Sequence, residues 1–167
     1  MDAEQWTLSA AGSGLWGTSD GAHGRWVTLT GDGSVTARVS SVSGGAPWAS
    51  AGVSLRTDTT SDSAGLSCVL TRVHGVAVVG RALDAAPTAL RSGGMSGASR
   101  WLRLQRVGNQ LTAFERTDAG AWREIDARTI TLGASCHVGL IITGQGGGEA
   151  SATISDVTIT GAVGGAG

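Results

Sequence analysis

Apolar and polar residues alternate along almost the whole chain, and a period of two is typical of β-strands that bury one face. The alternation predicts about eleven strands, at residues 4–11, 24–30, 34–43, 49–57, 64–73, 76–83, 99–107, 110–117, 121–130, 134–143 and 149–160. Glycine-containing turn signals separate many of these runs, namely GDG at 31–33, HG at 74–75, GN at 108–109 and DAG at 118–120. The pattern therefore favours an all-β antiparallel sandwich or barrel.

The extent of the pattern defines the expected organisation of the chain. Of the 167 residues, 28 are glycine, which suits short strands with many turns and gives helices little support. The strand pattern extends from one end of the chain to the other, so we expect one domain over residues 1–160 and a flexible Gly-rich tail at 161–167. Residues 84–98 alternate poorly, which leaves a long loop or a weak edge strand there.

Charge and hydropathy exclude two classes of partner. Twelve basic and thirteen acidic side chains give a net charge of −1, and no run of arginines forms a stripe that would follow phosphates. We therefore expect no nucleic-acid partner. No window of about 18 apolar residues occurs, so no membrane span is expected either.

Cys68 and Cys136 each lie in an alternating apolar run, and their spacing forms no metal-binding motif. Two interpretations remain open. They are two small buried side chains, or they form a disulfide that joins neighbouring strands.

Catalytic motifs are weak. Glu124 and Asp126 share one face of a predicted strand, but the surrounding WREIDAR reads as a solvated strand after a hairpin. His74 falls in a turn and His137 points away from an apolar face, and no GxSxG elbow precedes a helix. We therefore expect no enzymatic activity, with a glycoside hydrolase kept as the weakest alternative.

Metal binding is limited to one candidate, a structural calcium ion held by loop carboxylates, and no other cofactor is expected. Asp20 and Asp156 are the weak candidates for its ligands, although no DxDxDG loop occurs. TDAGAW at 117–122 resembles an Asp-box hairpin, which predicts that Asp118 caps turn amides and that Trp122 packs beneath the turn.

A candidate ligand surface combines tryptophan with arginine. Trp26 is out of phase with Val27 and Leu29, so it faces away from them. The candidate residues are Trp26, Arg38, Arg56, Arg81, His23 and Trp16. Such a surface would suit an acidic or hydroxyl-rich ligand. In the alternative interpretation, the arginine stems cover an exposed sheet and the guanidinium groups pair with aspartates.

Six sequence blocks also occur in a recognisable order. They read GLWGTSD, LTGDGSVTARVSSV, PWASAGVSLR, WLRLQRVGNQLTAFERTDAGAWREI, HVGLIITG and ATISDVTIT. Over roughly residues 12–160 the chain resembles the DUF1349-type modules of the concanavalin A-like lectin/glucanase superfamily. Ala22 and Gly24 are small where that family usually has large aromatics.

The resemblance implies a jelly-roll β-sandwich of two sheets, one of them curved, in an extracellular or cell-surface bacterial protein. It further implies a non-catalytic accessory module that binds carbohydrate, with a polysaccharide or a cell-surface glycan as partner. The alternative is a structural, adhesive or self-associating surface domain, which the low charge and the Gly-rich tail fit equally well.

Overall fold

The computed structural model describes residues 5–12, 14–15, 21–86, 88–92 and 99–164. Within these residues the secondary structure consists of eleven strands. They are β1 (Gln5–Ala10), β2 (His23–Gly44), β3 (Ser50–Arg56), β4 (Gly65–Thr71), β5 (Val76–Arg81), β6 (Thr88–Ser92), β7 (Arg100–Val107), β8 (Gln110–Arg116), β9 (Arg123–Thr129), β10 (Ser135–Thr143) and β11 (Ala150–Val163). The strand pairs are antiparallel. The predicted all-β jelly-roll sandwich is confirmed.

The strands form two layers that are joined through the long strand β2. The first sheet has the order β6-β5-β4-β3-β10 and ends in the first half of β2. The second half of β2 lies between β11 and β7 in the second sheet, which continues to β8 and β9 and has β1 at its other edge. A single strand thus contributes to both layers, which is why all eleven strands are connected by hydrogen bonds.

The predicted hairpin turn at GDG 31–33 is wrong, because β2 runs through it. Thr30 still pairs with β10, whereas Gly33 already pairs with β7. Gly31 has a φ of +72°, a conformation that glycine adopts without steric cost, and it allows β2 to bend from one sheet into the other. Asp32 fixes the bend, since its carboxylate accepts a hydrogen bond of 2.8 Å from the Gly108 amide.

Other turns and strand boundaries agree more closely with the sequence prediction. The turns at 74–75 and 108–109 connect β4 to β5 and β7 to β8, as predicted. Strand β6 pairs with β5 at the edge of the first sheet, so the poorly alternating segment contains an edge strand. Strand β11 continues to Val163, three residues into the predicted tail, and pairs there with β2.

The core lies between the two sheets and consists of the alternating apolar residues. Val53 and Leu55 of the first sheet and Val35 and Leu104 of the second are fully buried. Burying a side chain of this size stabilises the fold by about 1.5–3 kcal/mol. The same inner faces hold both cysteines.

Cys68 and Cys136 are buried free thiols, so the first of the two interpretations is confirmed. Burial raises the pKa of the Cys68 thiol well above its usual value, and the nearby charge of Glu115 adds to the shift. The Cys136 sulfur lies 3.4 Å from a guanidinium nitrogen of Arg106, which donates to it.

Three glycines hollow the outer face of the first sheet, the face turned away from the core. Gly52, Gly65 and Gly139 lie on this face in three adjacent strands. A Cβ atom on any of them would overlap the backbone of the next strand, at Cys68, Leu55 or Arg25 respectively. Glycine at these three positions therefore permits a close approach of the neighbouring strand backbones.

We expect Gly139→Ala to lower the free energy of unfolding by about 1–3 kcal/mol, because the new methyl group must displace the β2 backbone at Arg25. Chemical denaturation of the purified proteins measures the change. Gly164→Ala is the matched control, since its Cβ would make only ordinary contacts with Thr28. Equal unfolding midpoints for the two variants would contradict this role of Gly139.

Candidate functional site

Trp26 lies beside the glycine-rich surface, on β2, the last strand of the first sheet, and pairs there with Gly139 of β10. Trp26 of β2 is half-buried, and a Cβ on Gly24 would overlap its indole ring, so the ring lies along the strand, over residue 24. The guanidinium carbon of Arg56 is 5.8 Å from the centroid of the indole ring, within the range of a cation–π interaction. The surface formed by Trp26, Ser54, Arg56, Ser67 and Arg81 is referred to below as the Trp26 face.

Register places the members of the Trp26 face in rows across the sheet. Arg56 of β3 pairs with Gly65 of β4, which pairs with Arg81 of β5. Both arginines are buried, with 6% and 2% of their surface exposed. Two of the three arginines predicted from the sequence thus share one face with Trp26, but they are far less exposed than a solvated sheet would leave them.

Arg81 is fixed by backbone carbonyl groups. Its Nε donates to the carbonyl of Ala86 at 2.7 Å, and one terminal nitrogen donates to the carbonyls of Ser63 at 3.2 Å and Ser61 at 3.5 Å. The β3–β4 loop, which contains Ser61 and Ser63, and the β5–β6 loop, which contains Ala86, are thereby tied to the end of β5. These carbonyl acceptors hold the Arg81 guanidinium in place.

A small pocket lies beside the two arginines. Its walls are formed by Leu15, Arg56, Ser63, Gly65, Ser67, Val79 and Arg81. The hydroxyl groups of Ser54 and Ser67 are 2.8 Å apart and hydrogen-bonded to each other beneath the face. Gly65 lies between the two arginines in register, and a Cβ on it would overlap β3 at Leu55 and Arg56.

Leu15 covers the other half of the hollowed surface. It is 4% exposed and packs with Val69, Ala77, Val79 and Ile141. Gly14 and Gly21 exchange two backbone hydrogen bonds, of 3.0 and 2.7 Å, and so close the loop that carries Leu15. Leu15 thus contributes to the burial of the outer face of the first sheet, together with Trp26 and Trp48, which pack against the same cluster. The predicted site residues Trp16 and Asp20 lie outside the described residues.

Arg38 does not join the Trp26 face, which corrects the sequence prediction. It lies on the second sheet, because β2 has changed layers before it is reached. Its Nε and one terminal nitrogen donate to the two carboxylate oxygens of Asp118 at 2.8 and 2.9 Å. Arg38 therefore follows the alternative interpretation, in which an arginine pairs with an aspartate on an outer sheet face.

Asp118 binds side chains, whereas the sequence predicted that it would cap turn amides. Besides Arg38, the hydroxyl of Ser99 and the indole nitrogen of Trp101 donate to its carboxylate, at 3.0 and 2.9 Å. Trp122, which the sequence predicts to pack beneath the turn, lies against two arginines. The guanidinium carbons of Arg103 and Arg116 are 4.2 and 5.2 Å from the centroid of its ring. Asp118 thus ties the β8–β9 turn to β2 and β7.

These hydrogen bonds give the Asp118 carboxylate a pH-dependent role. The bond from Arg38, followed by those from Ser99 and Trp101, holds the pKa of Asp118 well below its usual value. A group with a lowered folded-state pKa stabilises the fold above its unfolded value of about 3.9, and this contribution is lost as the pH falls further.

We therefore expect Asp118→Asn to be less stable than the wild type at neutral pH, with a difference that shrinks below about pH 4. Urea denaturation of both proteins between neutral and acidic pH measures the difference. Asp58→Asn removes an exposed carboxylate from another loop and controls for the change in net charge. A difference that stays constant at acidic pH would count against this role of Asp118.

Of His23 and His137, only His137 lies on the same sheet face as Trp26. His23 begins β2 and is exposed, and strand alternation puts it on the opposite side of β2 from Trp26. His137 pairs in register with Thr28 and Arg56 and is half-buried on the outer face of the first sheet. His23 is thus separated from Trp26, whereas His137 pairs with Thr28, which lies two residues from Trp26 on the same face of β2.

Acidic side chains do not converge in the described part of the chain. Asp126 is bound by Arg128, with 2.6 Å between carboxylate oxygen and guanidinium nitrogen, while Glu124 is exposed. Asp156 has a φ of +56° at an irregularity of β11, and its carboxylate accepts a bond from the Ser155 hydroxyl. Residues 5–12, 14–15, 21–86, 88–92 and 99–164 hold no cluster of three potential metal ligands. Calcium binding stays a prediction.

Comparison with known proteins identifies the fold. No family model matches the chain, and no curated protein matches it. A functionally unknown protein from Saccharomyces cerevisiae is similar in structure, with 19% sequence identity and a TM-score of 0.75 over 96% of this chain and 89% of that one.

Two further solved structures share this fold. A GH43 protein from Bacillus licheniformis has 13% identity and a TM-score of 0.69, and 95% of this chain matches 33% of that chain. The carbohydrate-binding module CBM66 from Bacillus subtilis has 11% identity and a TM-score of 0.56 over 92% of this chain and 94% of that one. The chain therefore shares the β-sandwich fold of these structures. Among the described residues, no helix is long and apolar enough to cross a membrane.

Sequence reasoning missed the small residues of the site. Ser54, Ser67 and Gly65 form much of its floor, and Leu15 forms part of its wall. The sequence does contain a sign of this face, since Gly52, Gly65 and Gly139 all occupy strand positions that alternate with the apolar core residues. Glycine inside a strand indicates a close approach of neighbouring backbones.

Proposed function

We propose that this protein is a non-catalytic carbohydrate-binding module and that its ligand contacts the Trp26 face. One observation carries the proposal. A half-buried indole lies beside the guanidinium of Arg56 on a sheet face that glycines have hollowed. The likeness of the fold to the CBM66 module supports this class of function.

The chemistry of the face suits a sugar. The apolar face of an indole packs against the C–H groups of a pyranose or furanose ring, and nearby polar groups then fix the orientation of its hydroxyls. Arg56 supplies donors in a planar fork, and Ser67 supplies a hydroxyl that can both donate and accept. Small side chains beside Trp26 leave room for a ring to approach.

The proposal extends to the setting of the protein. We assign the chain to the DUF1349-type modules on the sequence blocks they share, and we propose an extracellular or cell-surface location. The absence of enzymatic activity is part of the proposal. It is supported by the ion pair that engages Asp126, the nearest candidate partner of Glu124 in a hydrolytic pair.

The test is direct binding of the purified chain to a panel of neutral and acidic polysaccharides, by affinity electrophoresis and then by isothermal titration calorimetry. We expect saturable binding to at least one member. Product analysis after long incubation with each bound polysaccharide is expected to show no cleavage. A flat response across the whole panel would overturn the proposed function, and release of shorter sugars would overturn its non-catalytic part.

A further inference from the structure

Tryptophan and arginine side chains alternate on the outer face of the second sheet. The guanidinium carbon of Arg116 lies 4.2 Å from the ring centroid of Trp101 and 5.2 Å from that of Trp122. The guanidinium carbon of Arg103 lies 4.2 Å from the ring centroid of Trp122. The residues on β7 and β8 alternate with buried ones and therefore point away from the core. The four side chains are referred to below as the Trp–Arg ladder.

The two arginines of the Trp–Arg ladder are only half-buried, and their hydrogen bonds go to neutral acceptors. Arg103 donates from Nε to the Thr36 hydroxyl at 2.9 Å. Arg116 donates from one terminal nitrogen to the carbonyls of Thr117 and Asp118, at 3.2 and 3.3 Å. Within the described ranges, neither arginine forms an ion pair with an acidic side chain. Since a guanidinium carries five N–H donors, both arginines keep donors for a carboxylate from outside the molecule.

The contacts within the Trp–Arg ladder favour a protein partner over a sugar. A sugar ring stacks on a bare indole face, whereas guanidinium groups already lie over the rings of Trp101 and Trp122. Tryptophan and arginine are also the side chains that most often supply the binding energy of protein interfaces. The exposed Glu124 shares a row with Arg103, but Phe114 lies between them in register. The ladder therefore suits a partner that brings carboxylates and an apolar side chain.

The chain itself carries such a surface on two loops at one end of the first sheet. Asp58 and Asp62 lie in the β3–β4 loop and Asp84 lies in the β5–β6 loop, and the Ala85 amide joins the loops by donating to the Asp62 carbonyl at 2.7 Å. Leu83, next to Asp84, is 70% exposed. In the part of the chain that the structure describes, these carboxylates form no ion pair. The three aspartates and Leu83 are referred to below as the acidic tip.

We infer that copies of this chain associate head to tail, with the acidic tip of one copy bound to the Trp–Arg ladder of the next. The ladder points away from the first sheet and the acidic tip belongs to loops of that sheet, so the two surfaces cannot meet within one molecule. In a pair of copies, Leu83 packs on the ladder while the aspartates meet Arg103 and Arg116, and the opposite charges fix the orientation. Each copy keeps one unused tip or ladder, so association continues into an open chain.

Sedimentation velocity of the purified wild-type chain over a hundredfold range of concentration is the first measurement. We expect the average sedimentation coefficient to rise with concentration beyond the value of a dimer. The rise should shrink as the salt concentration increases from about 0.05 M to about 0.5 M, because salt screens charges at the protein surface. A monomer at every concentration would overturn the inference, and so would a closed dimer that does not grow further.

Two variants then block one surface each. The ladder variant combines Arg103→Glu with Arg116→Glu, and the tip variant combines Asp58→Asn, Asp62→Asn and Leu83→Ser. Each variant alone should associate at least about tenfold more weakly than the wild type, since like charges meet in the first and the attraction is lost in the second. Thermal midpoints show that each variant is folded, and the wild-type concentration series does not depend on either variant.

An equimolar mixture of the two variants identifies the pairing. The ladder variant has an intact tip and the tip variant has an intact ladder, so we expect a one-to-one complex that does not grow at higher concentration. Arg72→Glu reverses an exposed charge outside both surfaces and should associate like the wild type. A mixture without a complex, or wild-type association of both blocked variants, would overturn the inference. These outcomes are independent of the proposed function, because no polysaccharide is present.

Discussion

Replacing Arg81 with Met is expected to lower the free energy of unfolding by about 4 kcal/mol, because it removes the donor from one buried hydrogen bond and two partly buried ones to backbone carbonyl groups. The methionine keeps the apolar stem, so the change isolates the guanidinium. That group bonds to the carbonyls of Ala86, Ser63 and Ser61 and joins two loops to the end of β5. Equilibrium denaturation in guanidinium chloride, followed by circular dichroism, measures the loss.

Arg72→Met is the matched control for Arg81→Met. Arg72 is exposed, and one of its nitrogens donates to the carbonyl of Gly45 at 3.2 Å. A surface change of this kind usually alters stability by no more than about 0.5 kcal/mol. If the two methionine variants unfold at the same denaturant concentration, the buried guanidinium is not what holds these loops.

The inward and outward residues of the strands could be predicted from the sequence, because the alternation of side chains is a local property of the backbone. Val53 and Leu55 face the core as the pattern requires, and Ser54 and Arg56 face outward. Each strand pair buries one face against the other sheet. The hydrophobic pattern therefore also determines the class of fold.

The division of strands between the two sheets could not be predicted in this way. GDG at 31–33 has the composition of a hairpin turn, and a hairpin would have kept the strands of Trp26 and Arg38 in one sheet. The backbone instead bends at Gly31 and pairs with β10 before the bend and with β7 after it. The pairing partners of β2 on either side of the bend are distant strands, which the local pattern does not identify. The sequence therefore groups Arg38 with Trp26, although the Arg38 side chain binds Asp118.

The burial of the arginines has a similar origin. Arg56 and Arg81 are out of phase with their apolar neighbours, which correctly indicates the face opposite the core. Whether that face is solvated depends on Leu15, which reaches it from a segment far away in the sequence. A pattern within one strand contains no information about such a cover. Arg56 and Arg81 point away from the core between the sheets and are nevertheless buried, and they therefore line a pocket.

Trp26→Ala is expected to weaken polysaccharide binding by about 2 kcal/mol, or roughly thirtyfold, the size of effect found for central aromatic residues of binding surfaces. The substitution removes the apolar platform and also the group that lies against the Arg56 guanidinium. Calorimetry with the polysaccharide that binds most tightly to the wild type measures the loss. Because Trp26 also packs against the cluster around Leu15, far-ultraviolet circular dichroism must accompany the titration.

Trp122→Ala provides the comparison that assigns the effect to this face. Trp122 is half-buried like Trp26 and also lies against arginine, with Arg103 4.2 Å from its ring, but it belongs to the hairpin of the second sheet. The two substitutions remove the same side chain from similar surroundings on different sheets. Wild-type affinity is expected for Trp122→Ala. If instead Trp122→Ala loses binding and a folded Trp26→Ala retains it, the ligand lies on the second sheet, where Arg38 and Asp118 are the charged groups to test next.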